Sequence, residues 1–184
     1  MTIEQVHRWE DEPAMASESL DAEAFKKVFR RHAAGVALIT ADAGDGPVAL
    51  TATSVFSISA VPPLLAFSLS DESSAAETIG RAETLVVHLL SADQLGLAKL
   101  GATTGIDRFA DDSIWERLAT GEPYFPAVHT WIRGRIANRM RAGNSTVLAV
   151  RGLEARWPQA PEAEAPLVYV SRTWHALDAR SRIA

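Results

Sequence analysis

The sequence predicts a mainly β protein, a barrel of antiparallel strands with helices appended, on three observations. About six to eight apolar, β-branched runs are punctuated by turn residues, and only three segments carry helical periodicity. Strands and helices also fail to alternate, as a β-α-β chain requires. The length of 184 residues, 47% of them apolar, suits one domain with a substantial core.

Residues 1–20 are acidic and polar (Glu4, Glu10, Asp11, Glu12, Glu18) and read as a flexible arm. They lack the basic start and apolar centre of a signal peptide. Asp21 then caps a helix in which Phe25, Val28, Phe29 and His32 recur at helical steps, with Gly35 ending it. His32, on that apolar stripe, reads as a partly buried core histidine. Val36–Thr40 and Val48–Thr53 predict a hairpin around the Gly/Asp turn at residues 41–47. Ser57–Ser59 and Leu64–Leu69 are further strands about the Pro62-Pro63 kink. Ser74–Arg81 predicts a short helix, Thr84–Leu90 a buried strand, and Ser91–Leu100 a helix with a capping box from Ser91 and Gln94.

Gly101–Pro126 reads as a long ordered loop with a short helical piece, and loops of that length are commonly functional. Long strands over Val128–Met140 and Ser145–Trp157 turn at Arg141–Asn144. The Pro/Ala/Glu-rich stretch Pro158–Pro166 is a surface excursion, and Leu167–Ser171 closes the sheet. One domain is expected over residues 21–178, with a tail at 179–184.

Several chemistries are disfavoured. A formal net charge of -5, with one short basic cluster at Lys26, Lys27, Arg30 and Arg31, argues against nucleic acid; at helical spacing that cluster is a wet helix face. The absence of cysteine removes disulfides and thiolate chemistry and suits a reducing, cytoplasmic setting. No apolar run approaches the length of a membrane span. Gly44-Asp45-Gly46 sits in a hairpin turn and not before a helix, so it is no dinucleotide fingerprint. His7, His32, His88, His129 and His175 are scattered without metal-ligand spacing, and Asp111-Asp112 read as solvated loop acids.

What remains is a run of small hydroxyl residues: Thr51-Ala52-Thr53-Ser54, then Ser57, Ser59, Ser68, Ser70, Ser73 and Ser74. Hydroxyls and backbone N–H groups at strand ends and helix starts are the donors that a phosphate or a flavin ring edge requires. By composition alone such residues equally well cover exposed strand faces.

Order adds a resemblance. His32-Ala33-Ala34-Gly35-Val36-Ala37-Leu38-Ile39-Thr40 precedes a Gly/Asp turn, Thr51–Val55, Pro62-Pro63, Ser73-Ser74 and Leu85–Leu90. With Asp107-Arg108-Phe109, Gly121-Glu122-Pro123, Gly143 and Pro166–Tyr169, this set resembles the flavin reductase family of the FMN-binding split barrel, from about Phe25 to Leu177. The resemblance implies a split β-barrel of Greek-key type and a homodimer. It implies that Thr51, Ala52, Thr53 and Ser54 line the flavin, that Ser68, Ser70, Ser73 and Ser74 surround its phosphate, and that His88 lies near the ring. Arg108 and Phe109 would sit at the cofactor mouth, with Arg108 pairing a phosphate. His88 as a core residue and Arg108 as a partner of Asp107 or Asp111 are the structural alternatives.

The implied activity is reduction of FMN or FAD by NADH or NADPH, supplying reduced flavin to a monooxygenase, with no residue cast as acid or base. The chain departs from the family at Gly143-Asn144-Ser145 and at Arg172-Thr173-Trp174; the resemblance places Ser145 and Trp174 of these segments on the nicotinamide side. The alternatives are a flavin-binding protein of the same fold without reductase turnover, or a small-ligand barrel or interaction domain without flavin.

Overall fold

In the computed structural model, residues 19–159 and 164–183 are described. Most of the expected arm, and the centre of the Pro158–Pro166 excursion, therefore lie outside the described residues. Local chemistry starts the fold as expected. The Asp21 carboxylate accepts from the N–H groups of Glu23 and Ala24 and opens helix α1, Ala22–Phe29.

The elements that follow are β1 (Ala34–Gly35), β2 (Ala37–Asp42), β3 (Pro47–Ala52), β4 (Phe56–Ala60) and β5 (Pro63–Ser70). Then come α2 (Ala76–Arg81), β6 (Thr84–Leu89) and, after a 3-10 turn, α3 (Leu95–Ala102). The capping box is present: the Ser91 N–H donates to Gln94 Oε1 at 3.0 Å. Two short strands, β7 (Glu116–Arg117) and β8 (Pro123–Tyr124), pair with each other, where a short helical piece was expected. β9 (Trp131–Ala142), β10 (Ser145–Arg156), β11 (Leu167–Val170) and β12 (Thr173–Ala176) complete the chain.

Seven strands form one antiparallel sheet in the order β3-β2-β6-β9-β10-β5-β4. Laid flat, six steps of about 4.8 Å would hold its edges roughly 29 Å apart. Those edges, β3 and β4, are consecutive in sequence and joined only by Thr53-Ser54-Val55. Four residue steps span at most about 14 Å, so the sheet has to curl until its edges nearly meet. β3 and β4 do not pair with each other, which leaves the barrel split along this seam.

β2 is buried along both faces. Ala37, Ile39 and Ala41 join Phe67, Ile79, Leu148 and Val150 in one core cluster, sealed by α2. Val36 and Leu38 face Ala98, Phe109, Phe125, Val128 and Leu167 in a second cluster beneath α3 and the long loop. Among the described residues, no helix is long and apolar enough to cross a membrane.

Four expectations change. α1 ends at Phe29, and Ala34–Gly35 pair with β11 instead of ending the helix. Its apolar stripe is exposed: Phe25 is 52%, Val28 67% and Phe29 55% accessible, and His32 is exposed with them. β12 was not foreseen, because its turn is made by Ser171 and Arg172 at φ 52° and 62°, without the Gly or Asn that announces such a turn. His88 is the fourth. It is fully buried, with Nδ1 3.0 Å from the Leu38 carbonyl and Nε2 accepting from the Phe125 N–H at 3.1 Å. Both ring nitrogens are engaged in tying β2, β6 and the long loop together, so the core alternative holds and no donor is left for a ring.

Two predictions follow from these contacts. Burial pushes the His88 pKa down to about 4 from 6.5, only partly offset by the bond to Leu38. Because the unfolded chain protonates first, His88 contributes full stability above pH 6.5. That contribution is lost between pH 6.5 and about 4, by up to about 3 kcal/mol. Denaturant titrations across this range should show the fall, and H88N should flatten it. Separately, a Cβ on Gly101 would lie 2.3 Å from Leu38 Cδ1 and 2.4 Å from Thr51 Oγ1. Gly101→Ala should therefore destabilise by about 1–3 kcal/mol, read as a shifted unfolding midpoint.

Candidate functional site

The seam organises the site. At the end of β3, Thr51 donates its hydroxyl to the Ala98 carbonyl at 2.7 Å and so fastens the strand to α3. Ala52 is buried, and Thr53 is exposed. Ser54 stands in for a missing ladder partner: its Oγ accepts from the Ser68 N–H at 3.0 Å and donates to the Ser68 carbonyl at 3.2 Å. A single side chain thus pins the seam to β5.

β5 then delivers Ser68 and Ser70, which face Val147 and Ser145 of β10 across the ladder. The chain turns into α2 through hydroxyl-stabilised bends, with Ser70 Oγ accepting from the Glu72 N–H and Ser73 Oγ from the Ala75 N–H, both at 3.3 Å. α2 itself follows Ala75, an N-cap residue whose side chain makes no capping bond. From the long loop, Arg108 reaches back. Nη1 donates to Ser74 Oγ at 3.2 Å and Nη2 to the Thr103 carbonyl at 2.7 Å, while Nε is buried without a partner among the described residues. The expected alternative, a pair with Asp107 or Asp111, is not formed: Asp107 accepts from the Phe109 N–H and Asp111 from Ser113.

These residues line one cavity of about 500 Å³. Thr51, Ala52, Thr53, Ser54, Ser68, Ser70, Ser73, Ser74 and Arg108 all reach it, and Ser145 joins them. Phe109 does not. It is 7% accessible and turns inward from Arg108, its ring 5.0 Å from Trp115 and 5.6 Å from Phe125. His88 is likewise absent from the lining.

A second cavity of about 630 Å³ opens beyond Thr53 and Ser54, which line both. Its walls are the α1–β2 link (Phe29, Arg30, His32–Gly35), Val55 and Phe56, and the β11–β12 hairpin from Tyr169 to Arg172. Sequence reasoning missed His32, Arg30, Tyr169 and Arg172 as site residues. His32 to Gly35 had been read as a helix end, although the same stretch belongs to the matched pattern. Ser145 and Trp174 are not brought together: Ser145 lines the first cavity, and Trp174 lines neither, packing on Tyr169 at 4.6 Å between ring centroids.

Known proteins share this architecture. Residues 29–178 match the family model described as a flavin reductase like domain. An NADH:FMN oxidoreductase of Rhodococcus qingshengii is 40% identical over 148 residues, covering 79% of this chain and 76% of that protein. The crystal structure of a flavin reductase domain protein from Arthrobacter sp. FB24 superposes with a TM-score of 0.79 at 35% identity, over 85% of this chain and 96% of that one. BorF, the flavin reductase component of a bacterial two-component tryptophan halogenase, gives a TM-score of 0.75 at 27% identity, over 87% of this chain and all, 100%, of its own. A split antiparallel barrel whose hydroxyl-lined seam falls within the matched segment belongs to the flavin reductase-like domain family.

Proposed function

We propose that the protein is an NADH-dependent flavin reductase that takes FMN along the Thr51–Ser54 seam and passes reduced flavin to a separate oxygenase. The observation that carries this reading is the 500 Å³ cavity, which gathers the hydroxyl run and an arginine whose buried Nε lacks a partner. A buried unpaired donor is costly unless a ligand satisfies it. The donor set fits a phosphorylated flavin: Ser74 and Arg108 would hold the phosphate, and Thr53 with the seam backbone would run along the ribityl chain toward the second cavity. The relatives named above as an NADH:FMN oxidoreductase and as the reductase component of a two-component halogenase favour the same donor and acceptor and a separate enzyme that takes the reduced flavin.

When bound, the flavin accepts a hydride from a dihydronicotinamide. This chain has to hold two rings in contact and keep donors near the acceptor as it gains charge. It needs no acid or base for that, which suits a site lined mainly by hydroxyls and backbone, with Arg108 and Glu72 as its charged members. The 630 Å³ cavity, sharing Thr53 and Ser54 with the first, is the space from which the nucleotide would approach. NADH is a cytoplasmic reductant, and a cytoplasmic location goes with this reading.

A homodimer belongs to the same proposal. Phe29, Phe56 and Ile58 are 55%, 56% and 50% accessible, and Phe29 and Phe56 border the second cavity. A second copy covering them would remove apolar surface from water and add a wall beside that cavity while leaving its mouth open to the nucleotide.

Oxidation of NADH by the purified protein should require added FMN; tight FMN binding with no such oxidation would favour the non-turning-over alternative. Arg108→Ala and Ser74→Ala should weaken FMN, Arg108→Ala by about 1.5–3 kcal/mol, roughly 10- to 100-fold. Riboflavin, which has no phosphate, should bind all three proteins alike in a fluorescence-quenching titration. Sedimentation should give a dimer, and Ile58→Glu should shift it to monomer with an unchanged circular dichroism spectrum.

A further inference from the structure

The second cavity has a charge pattern that the chain as a whole does not. The protein carries a formal net charge of -5, yet among the described residues Arg30, His32 and Arg172 border this cavity and no Asp or Glu does. Among the described residues, neither Arg30 nor Arg172 forms an ion pair; other arginines, such as Arg135 and Arg151, also form none, but these two share one cavity. Two guanidiniums left unpaired on one cavity of an acidic protein are a place for an anion.

Backbone geometry points the same way. Arg172 sits at φ 62°, next to Ser171 at φ 52°, a conformation that glycine or asparagine adopts at least cost and arginine does not. The hairpin is held there by the Ser171 N–H, which donates to the Arg30 carbonyl at 2.8 Å. That bond joins the two arginine-bearing segments, one at the end of α1 and one between β11 and β12. A turn built from unfavoured residues persists when its surroundings fix it, and such turns concentrate at ligand clamps.

We infer that Arg30 and Arg172 form a clamp for the pyrophosphate of the dinucleotide hydride donor. This rests on the reductase reading above and adds to it the residues that position the donor. The clamp lies on the same cavity as Thr53 and Ser54, so a dinucleotide held there by its phosphates has its nicotinamide end free to reach the seam. The arginines take no part in hydride transfer; they are positioning residues. Bidentate guanidinium–phosphate contacts supply orientation as well as affinity.

ADP-ribose, which carries the pyrophosphate but no nicotinamide, is the binding probe, measured by calorimetry on the full chain. N-benzyl-1,4-dihydronicotinamide, which carries no phosphate, is the comparison donor. In the R30Q/R172Q double variant, ADP-ribose affinity should fall by about tenfold or more, and KM for NADH should rise in step. Turnover with the benzyl donor should change far less, and R172K should restore part of the ADP-ribose affinity. R172G separates binding from folding, because glycine suits φ 62°: its melting temperature should be equal or higher while ADP-ribose affinity drops. Unchanged ADP-ribose affinity in the double variant, or equal losses with both donors, would overturn the clamp. A wild-type protein that binds ADP-ribose through these arginines yet oxidises neither donor would overturn the reductase reading and support the clamp as an anion site.

Discussion

Three residues, Thr53-Ser54-Val55, join the two edges of a seven-stranded sheet, and nearly everything else about the molecule follows from that short tether. A tether of this length forbids a flat sheet. The curl it enforces creates an interior for Ile39, Phe67, Leu148 and Val150 to fill, and it brings the ends of β3 and β5 beside the start of α2. Ser54 completes the constraint by giving Ser68 both a donor and an acceptor where no neighbouring strand is available. The seam is left open because those edges do not pair, and an open seam in a packed β protein is a cleft. The cavities on its two sides are consequences of closing a sheet too tightly to lie flat and too loosely to seal.

Much of this was legible in the sequence, for identifiable reasons. Asp21 and the Ser91/Gln94 pair announced their helices because capping is a local hydrogen bond between residues a few positions apart. Most of the expected strands fell within two residues of their observed ends because each is bounded by turn residues; the strand expected from Val128 begins at Trp131. The hydroxyl run was recognisable from order, and nearly all of it lines one cavity. What failed depended on information the local pattern does not hold. The Phe25/Val28/Phe29 stripe shows that α1 has an apolar face but not that the rest of the chain leaves it exposed. Arg108 and Phe109 are adjacent in sequence and point opposite ways, one to the cavity and one to the core. His88 sits in an apolar run, where a buried structural histidine and a ligand-facing one look the same; the partners at Leu38 and Phe125 decide between them, and they lie 50 and 37 residues away.

The hydroxyl residues also divide by what they already do. Thr51 holds a helix and Ser54 holds a strand, while Ser70 and Ser73 shape the turn into α2. Their side chains build the cleft as much as they furnish it, and the backbone they position is part of what a ligand meets. Thr53 is exposed at the first position of the tether, and Arg108 still has a donor to give. A site assembled this way is rigid where it is shaped and open at a few points, which lowers the entropy a ligand must overcome to bind.

Thr53 and Ser54 are walls of both cavities at once. Two ligands that touch the same pair of residues cannot have independent affinities unless each leaves the pair untouched. Whatever one occupant does to the tether's freedom alters the tether that the other meets, and linkage makes the effect equal in both directions. The narrowness of the tether thus turns two neighbouring clefts into a single thermodynamic unit, in which a change to either residue is felt as two altered affinities and a coupling between them.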